Sequence, residues 1–347
     1  YLGRSGLLVS RICLGTMTFG MKDWGCDQET ASAIVDEFID SGGQFIDTAD
    51  IYSSGLSEEM LGNALQNHKR DDLVVASKCW FRVGEGVNSK GLSRKHIINA
   101  LDASLKRLKT DYLDLYQVHG PDWFTPMEET MGTLDDLVHQ GKIRYIGCSN
   151  YYAWQIVKAN MIADRLGKER FISAQHLYNL VRRDIEREIL PACADQGMGM
   201  LCWSPLAGGF LSGRYIRDGE LPEGSRISYR KNIDVPRYFS DKSFDVIDEL
   251  RLMSQEIGKT PSQISLAWLL FDQRVTSVIV GPKNVEQLKD TLEVSEWNLT
   301  EEQHERLSSK LDFSHGYPME WVDMGFNNIS DREEFKPSHY QFPTQRA

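Results

Sequence analysis

Residues 73–119 read LVVASKCWFRVGEGVNSKGLSRKHIINALDASLKRLKTDYLDLYQVH. The stretch opens and closes on short apolar runs, LVVAS (73–77) and LDLYQV (113–118), whose composition suits strands. Between them Ile97, Leu101, Leu105 and Leu108 recur at helical spacing on one face, and Ser93 is placed to cap a helix over 93–108. Strand, helix and strand in that order make a βαβ unit, with its two strands parallel.

The same grammar extends in both directions. RICLG (11–15), QFID (44–47), IRYIGC (143–148), FISA (171–174), GMLCW (199–203) and SVIVG (277–281) bring the apolar runs to eight. They are spaced by roughly 25–40 residues, with helical segments between most of them. One such helix, over 127–138, places Met127, Met131, Leu134 and Val138 on one face. Eight units predict an α/β protein of the closed (β/α)8 TIM barrel type in a single domain. A doubly wound open sheet is the alternative, and its mark is GxGxxG after the first strand. The chain offers only GEGVNS at 84–89, which lacks the third glycine and follows the wrong strand.

The gap between Trp203 and Ser277 is too long for one βα unit. Its first half is rich in Gly and Pro and reads as an extended loop after strand 7, followed by helices over about 243–257 and 261–271. Residues 313–347 are polar, with scattered aromatics and no clear period, and are read as a C-terminal tail beyond the 1–312 barrel.

Of 347 residues, 50 are acidic and 39 basic, a formal charge of −11. That balance argues against nucleic acid or a polybasic membrane surface as the main partner, and leaves room for a small anionic ligand held by a few local cations. No run approaches ~18 consecutive apolar residues, so no membrane span is expected. The start, YLGRSGLLVSRICLG, has no pattern of basic region, apolar core and small-residue cleavage site, so no secretion signal is expected either. The six cysteines are scattered without CxxC pairs, which fits buried free thiols in a reducing cytoplasm. The sequons at Asn298 and Asn328 are then chance matches. No P-loop, HExxH or zinc-ligand spacing occurs, and no metal is expected.

Three strand ends carry chemistry. Asp47 ends QFID, Lys78 follows LVVAS, and His119 follows LDLYQV. In a (β/α)8 barrel the C-terminal strand ends converge on one face, where barrel enzymes work. These three therefore meet, with Tyr52 in the first loop beside them. The set suits general acid–base work by a phenol. A free Tyr has a pKa of about 10, and a nearby ammonium favours phenolate and lowers it. Asp47 keeps Lys78 charged and in place, and His119 can donate a hydrogen bond to a carbonyl oxygen. A carbonyl that gains a proton on oxygen must gain a hydride on carbon, which no side chain supplies; the constellation calls for a nicotinamide.

At this point the chain resembles the aldo-keto reductases over essentially residues 1–312. LGRSGLLVSRICLGTMTFG (2–20) resembles that family's opening N-terminal hairpin and first strand, and FIDTADIYSSGLSEEMLG (45–62) the segment with its Asp and Tyr. ASK (76–78), LYQVHGPD (115–122), GKIRYIGCSN (141–150), SAQHLYNL (173–180), WSPLAGGFLSGRY (203–215) and VIVGPKNVEQL (278–288) follow in family order. The style of SPLAGGFLSG points to the bacterial, potassium-channel β-subunit-like branch.

The resemblance implies a catalytic tetrad of Asp47, Tyr52, Lys78 and His119, with Tyr52 as the acid, and NADPH or NADP+ lying extended across the barrel mouth. By the same resemblance Gly15, Thr16 and Met17 contact the nicotinamide ribose, and Ser149, Asn150 and Gln175 hold the carboxamide. Trp203 or Tyr178 stacks on the ring. Gly208, Gly209 and Gly213 let backbone amides approach the pyrophosphate, and Ser204, Leu206 and Gly281 belong to the cofactor site as well. Arg214, Arg226 and Lys283 serve the phosphates and Gln287 the adenine end, where Asp290 and Thr291 replace the Glu-Asn of many relatives. Trp24, Trp80 and Trp123 or Phe124, all in loops beyond strand ends, are expected to line the substrate pocket with Tyr52 and His119. The expected activity is NADPH-dependent reduction of an aldehyde or ketone, reversible as alcohol oxidation with NADP+. Two other readings compete. One is an NADPH-binding regulatory subunit of a membrane complex with slow turnover. The other is a cofactor-free barrel lyase using Lys78 as a Schiff base.

Overall fold

The computed structural model describes residues 1–311, 316–318 and 320–321. Most of the proposed tail 313–347 thus lies outside the described residues. Eight strands close into one barrel in sequence order. They are β1 (Ile12–Gly15), β2 (Phe45–Asp47), β3 (Val74–Cys79), β4 (Leu113–Val118), β5 (Ile143–Ser149), β6 (Phe171–Leu177), β7 (Gly199–Trp203) and β8 (Val275–Val280). Every neighbouring pair is parallel, and β8 pairs back onto β1.

Successive side chains on a strand point to opposite faces, and that alternation builds the interior. Inside lie Cys13, Phe45, Val74, Ala76, Leu115, Leu201 and Ile279, joined by Leu2 and Val9. The other parity, including Leu14, Ile46, Val75, Tyr116, Ile146, Met200 and Val278, packs against the helices. Two residues further along β2, β3 and β4, the inward parity passes from apolar to polar at Asp47, Lys78 and Gln117, and β6 adds Gln175 beyond inward Ser173; Asp47, Lys78, Gln117 and Gln175 are each no more than 2 % exposed. Register aligns them, with Asp47 opposite Ala76 and Lys78 opposite Gln117. Gly147 leaves the space they need, because a Cβ there would lie 2.5 Å from Ser173 Oγ and 3.3 Å from Gln117 Cγ.

The helix after β3 starts where the sequence places its cap. Ser93 accepts from the His96 amide at the head of the helix Arg94–Leu108. The helix expected over 127–138 is Met127–His139. No strand forms at the N-terminus, in place of the expected hairpin. Residues 2–7 close a turn through the Leu2 amide and the Leu7 carbonyl at 2.8 Å, and Leu2 enters the barrel interior from below. The loop after β7 is more ordered than its composition suggests. It holds a 3-10 turn, Ala207–Ser212, and short helices Arg226–Tyr229 and Lys231–Tyr238 ahead of the two expected ones, Asp241–Ile257 and Pro261–Phe271.

Candidate active site

Asp47, Lys78, Tyr52 and His119 meet above the apolar interior. Lys78 is fully buried, and its Nζ donates to Asp47 Oδ1 at 2.5 Å, to the Thr48 carbonyl at 2.7 Å and to the Tyr52 hydroxyl at 3.4 Å. The second carboxylate oxygen of Asp47 accepts from Gln117 Nε2 at 3.0 Å and Gln175 Nε2 at 2.9 Å. The His119 ring stands edge-on to the Tyr52 ring, with centroids 5.9 Å apart. Its Nδ1 is buried without a hydrogen-bond partner among the described residues.

The electrostatics follow from burial. Desolvation opposes a charged Lys78, but Asp47 and Tyr52 outweigh it and hold the ammonium pKa above its ordinary value. Burial and the adjacent ammonium keep the His119 imidazole well below its usual pKa, so it is neutral at pH 7. Tyr52 departs from the sequence expectation. Lys78 does pull the phenol pKa down, but burial is the larger effect and the net direction is upward. The resting site is a neutral phenol, an ammonium and a neutral imidazole.

Asp47, Tyr52 and His119 border a cleft of about 580 Å3 across the barrel mouth, and the fully buried Lys78 lies behind them. Gly15, Met17, Asp47, Ser149, Asn150, Gln175, Trp203, Ser204, Leu206, Gly208, Arg214, Gly281, Lys283 and Gln287 line it, as do Trp24, Tyr52 and His119. Asp290 and Thr291 line it as well. The walls are held by their own bonds. Trp203 Nε1 donates to Asn150 Oδ1 at 3.1 Å, and Asn150 Nδ2 donates to the His119 carbonyl at 2.9 Å. Asn150 and Ser204 take left-handed φ of 58° and 50°, a strained conformation of the kind that gathers at functional sites. Gly208 and Gly209, at φ 68° and 96°, let the backbone turn tightly along one wall. On the opposite rim, Asn284 caps the helix Val285–Leu292 and Gln287 Oε1 accepts from the Lys283 amide at 3.1 Å, so GPKNVEQL is both a capped turn and part of the cleft.

Several expected residues lie elsewhere. Thr16 is fully buried and does not border the cleft: its hydroxyl and amide both turn to the Asp47 carbonyl, and its own carbonyl accepts from the Phe19 amide and the Ser57 hydroxyl. Tyr178 is buried outside the cleft, its hydroxyl donating to Glu186 at 2.7 Å and its ring against Trp268, so of the two only Trp203 borders the cleft. Trp80 covers Gly120 and donates to the Pro121 carbonyl, while Trp123 faces Tyr152 and Trp154 on the surface; neither borders the cleft. Phe124 is 96 % exposed. Phe81, Met21 and Ile51 supply apolar wall that the sequence reading missed, and Arg230 and Arg237 add cations. Arg226 lies over the Trp24 ring at 5.4 Å, and Arg237 over Trp203 at 5.8 Å. Gln117 was also missed. Its signal was parity: it lies two residues beyond inward Leu115 and two before His119.

A closed parallel barrel with acid, base and cation gathered at its C-terminal strand ends has the construction of a barrel enzyme. The chain belongs to the aldo/keto reductase family, whose model matches residues 11–312. It is 39 % identical over 313 residues to the uncharacterized oxidoreductase YrpG of Bacillus subtilis (strain 168), covering 87 % of this chain and 92 % of the relative. It is 37 % identical over 297 residues to a probable voltage-gated potassium channel subunit beta of Oryza sativa subsp. japonica, covering 84 % and 89 %. A third relative, the versiconal hemiacetal acetate reductase of Aspergillus parasiticus, is 36 % identical over 291 residues, covering 78 % of this chain and 84 % of that one. The family and these relatives make the chain an oxidoreductase of the channel-β-subunit-like branch. Among the described residues no helix is long and apolar enough to cross a membrane.

Proposed function

We propose that the protein is an NADPH-dependent aldo-keto reductase in which Tyr52 protonates the oxygen of an aldehyde or ketone, the reverse reaction being alcohol oxidation with NADP+. The observation that carries this reading is the fully buried Lys78 ammonium, fixed by Asp47 at 2.5 Å and reaching the Tyr52 hydroxyl at 3.4 Å on the cleft wall. Tyr52 enters the step as a neutral phenol. As it gives its proton to the carbonyl oxygen, negative charge grows on the phenol oxygen, and Lys78 opposes that charge from behind. Gln117 and Gln175 saturate Asp47, so the carboxylate stays with Lys78. Neutral His119 has an N–H with which to orient the carbonyl oxygen.

A nicotinamide coenzyme supplies the hydride when bound. The residues fit one. The cleft lies within the ~300–1,000 Å3 usual for cofactor sites. Trp203 offers a ring face, Ser149 and Asn150 offer polar groups for a carboxamide, and the Gly208–Gly209 turn suits an approaching pyrophosphate. Arg214, Arg226, Arg230, Arg237 and Lys283 bring positive charge to one cleft of an acidic protein, which favours the doubly charged 2′-phosphate of NADPH over the bare ribose of NADH. Six free thiols suit a reducing cytoplasm. The lyase reading loses support, because a Schiff-base lysine must be neutral and Lys78 is held charged.

The relative named as a channel subunit keeps a slow-turnover regulatory role in view. A screen of NADPH oxidation against aldehydes and ketones, with alcohols and NADP+ in reverse, separates the two. Carbonyl-dependent loss of NADPH is expected. Tight NADPH binding with no turnover on any carbonyl would favour the regulatory subunit, and no binding would overturn both.

A further inference from the structure

Asp50 lies three residues beyond Asp47, at the start of the turn that carries Tyr52, but it faces the helices and does not line the cleft. It is 2 % exposed, and neither carboxyl oxygen has a hydrogen-bond partner among the described residues. The Ile51 amide is near enough to draw its pKa down a little, without meeting hydrogen-bond geometry. The groups facing it are Glu58 from the helix Leu56–Ala64, Arg107 from Arg94–Leu108, Lys78 and Cys79 from β3, and Tyr116 from β4.

The cations among these are already committed. Arg107 holds Glu58 Oε2 through Nε at 2.7 Å and a second nitrogen at 2.6 Å, and it also reaches Ser104 Oγ. Glu58 takes the Ser77 hydroxyl on its other oxygen at 2.5 Å. Lys78 is spent on Asp47, Thr48 and Tyr52. A charged Asp50 would be a second buried carboxylate beside Glu58 with no cation of its own, which is an expensive arrangement. Burial first, then Glu58, push its pKa up to about 8. The same cluster braces the Tyr52 turn. Ser53 and Ser54 take left-handed φ of 47° and 57°, and the following Gly55 has φ 95°, with Arg107 so close that a Cβ would lie 3.0 Å from its Cδ. Non-glycine residues in that region persist only where neighbours impose it.

We propose that Asp50 is a positioning residue for Tyr52, working as an uncharged carboxylic acid that lets the strained turn seat on the Glu58–Arg107 pair. The positioning role rests on Tyr52 being the proton donor; the uncharged acid does not. Ionisation puts a second negative charge beside Glu58, competes for Arg107 and loosens the turn. An acid kept protonated in the fold but ionised when unfolded also makes stability fall as pH rises from about 3.8, its ordinary value, to about 8, and level off above.

The test is infrared spectroscopy of the whole protein against pH, beside kcat–pH profiles. The wild type should show a protonated buried carboxyl at pH 7 that vanishes as pH rises through about 8, and kcat should fall several-fold over the same interval. Tyr52 and Lys78 are pushed upward and His119 downward, so this limb belongs to none of them. Asp50→Asn should lack both the band and the limb while keeping its rate at pH 7. Glu58→Gln should move the wild-type transition to lower pH, which serves if the first variant folds poorly. Absence of the band at pH 7, or a limb that survives in Asp50→Asn, would overturn the proposal. A band in a wild type that reduces no carbonyl would sink the functional reading and the positioning role, and leave the neutral acid standing.

Discussion

A fully buried ammonium is tolerable only because Lys78 has three acceptors, and one of them is the phenol it serves. Replacing it with methionine keeps the length and removes the charge. Burial and the Asp47 charge then act on Tyr52 without their main counterweight, and its pKa must rise further. Lys78→Met should therefore be nearly inactive, with any residual oxidation of alcohols, which needs phenolate, shifted to more alkaline pH in a rate–pH series. An unshifted profile would mean that Lys78 does not tune Tyr52. At this scale the sequence was generous with polar residues at strand ends, where an Asp, a Lys and a His break apolar runs. It was silent about Gln117, which sits within the run LDLYQV and declares itself only once the barrel fixes which parity points inward. It misled on Trp80 and Trp123, because lying beyond a strand end fixes where an aromatic starts and not where its ring goes. Trp80 found Gly120 to cover, and Trp123 found two exposed aromatics.

Strands and long helices were legible because period and caps agree, as Ser93 and the stripe from Ile97 to Leu108 do. The segment after β7 was not. Arg226–Tyr229 and Lys231–Tyr238 are too short for periodicity, and Pro236 lies inside the second. A charge cluster joins the two instead, with Arg226 of the first and Arg230 at the head of the second flanking the fully buried Asp234 at 3.6 and 3.5 Å. The helix Val285–Leu292 offers a test of how an element serves the cleft. Asn284 Oδ1 accepts from the Gln287 amide at 2.9 Å, and the Gln287 side chain in turn holds the Lys283 amide. Asn284→Ala should lower unfolding stability by about 1 kcal/mol and weaken NADPH binding, while Asn284→Asp keeps the stability. Chemical denaturation and coenzyme titration would check both. A loss of stability with no change in affinity would detach the cap from the cofactor site.

At the scale of the molecule, a chain of net charge −11 concentrates arginines and a lysine around one opening. That distribution is the physical case for NADPH over NADH. Lys283→Glu should cost at least ~1.4 kcal/mol of the preference, tenfold in the affinity ratio, read from tryptophan quenching by both coenzymes. A wild type that binds NADH as tightly as NADPH would reduce Lys283 to a solvated turn residue. The central claim, that Tyr52 donates the proton to a carbonyl at a preformed coenzyme site, is tested most directly by Tyr52→Phe. Its hydroxyl acts only in the chemical step, so NADPH affinity should stay close to that of the wild type while reduction of the best carbonyl in the screen falls by about 10²–10⁴-fold. Near-normal turnover in that variant would contradict the account.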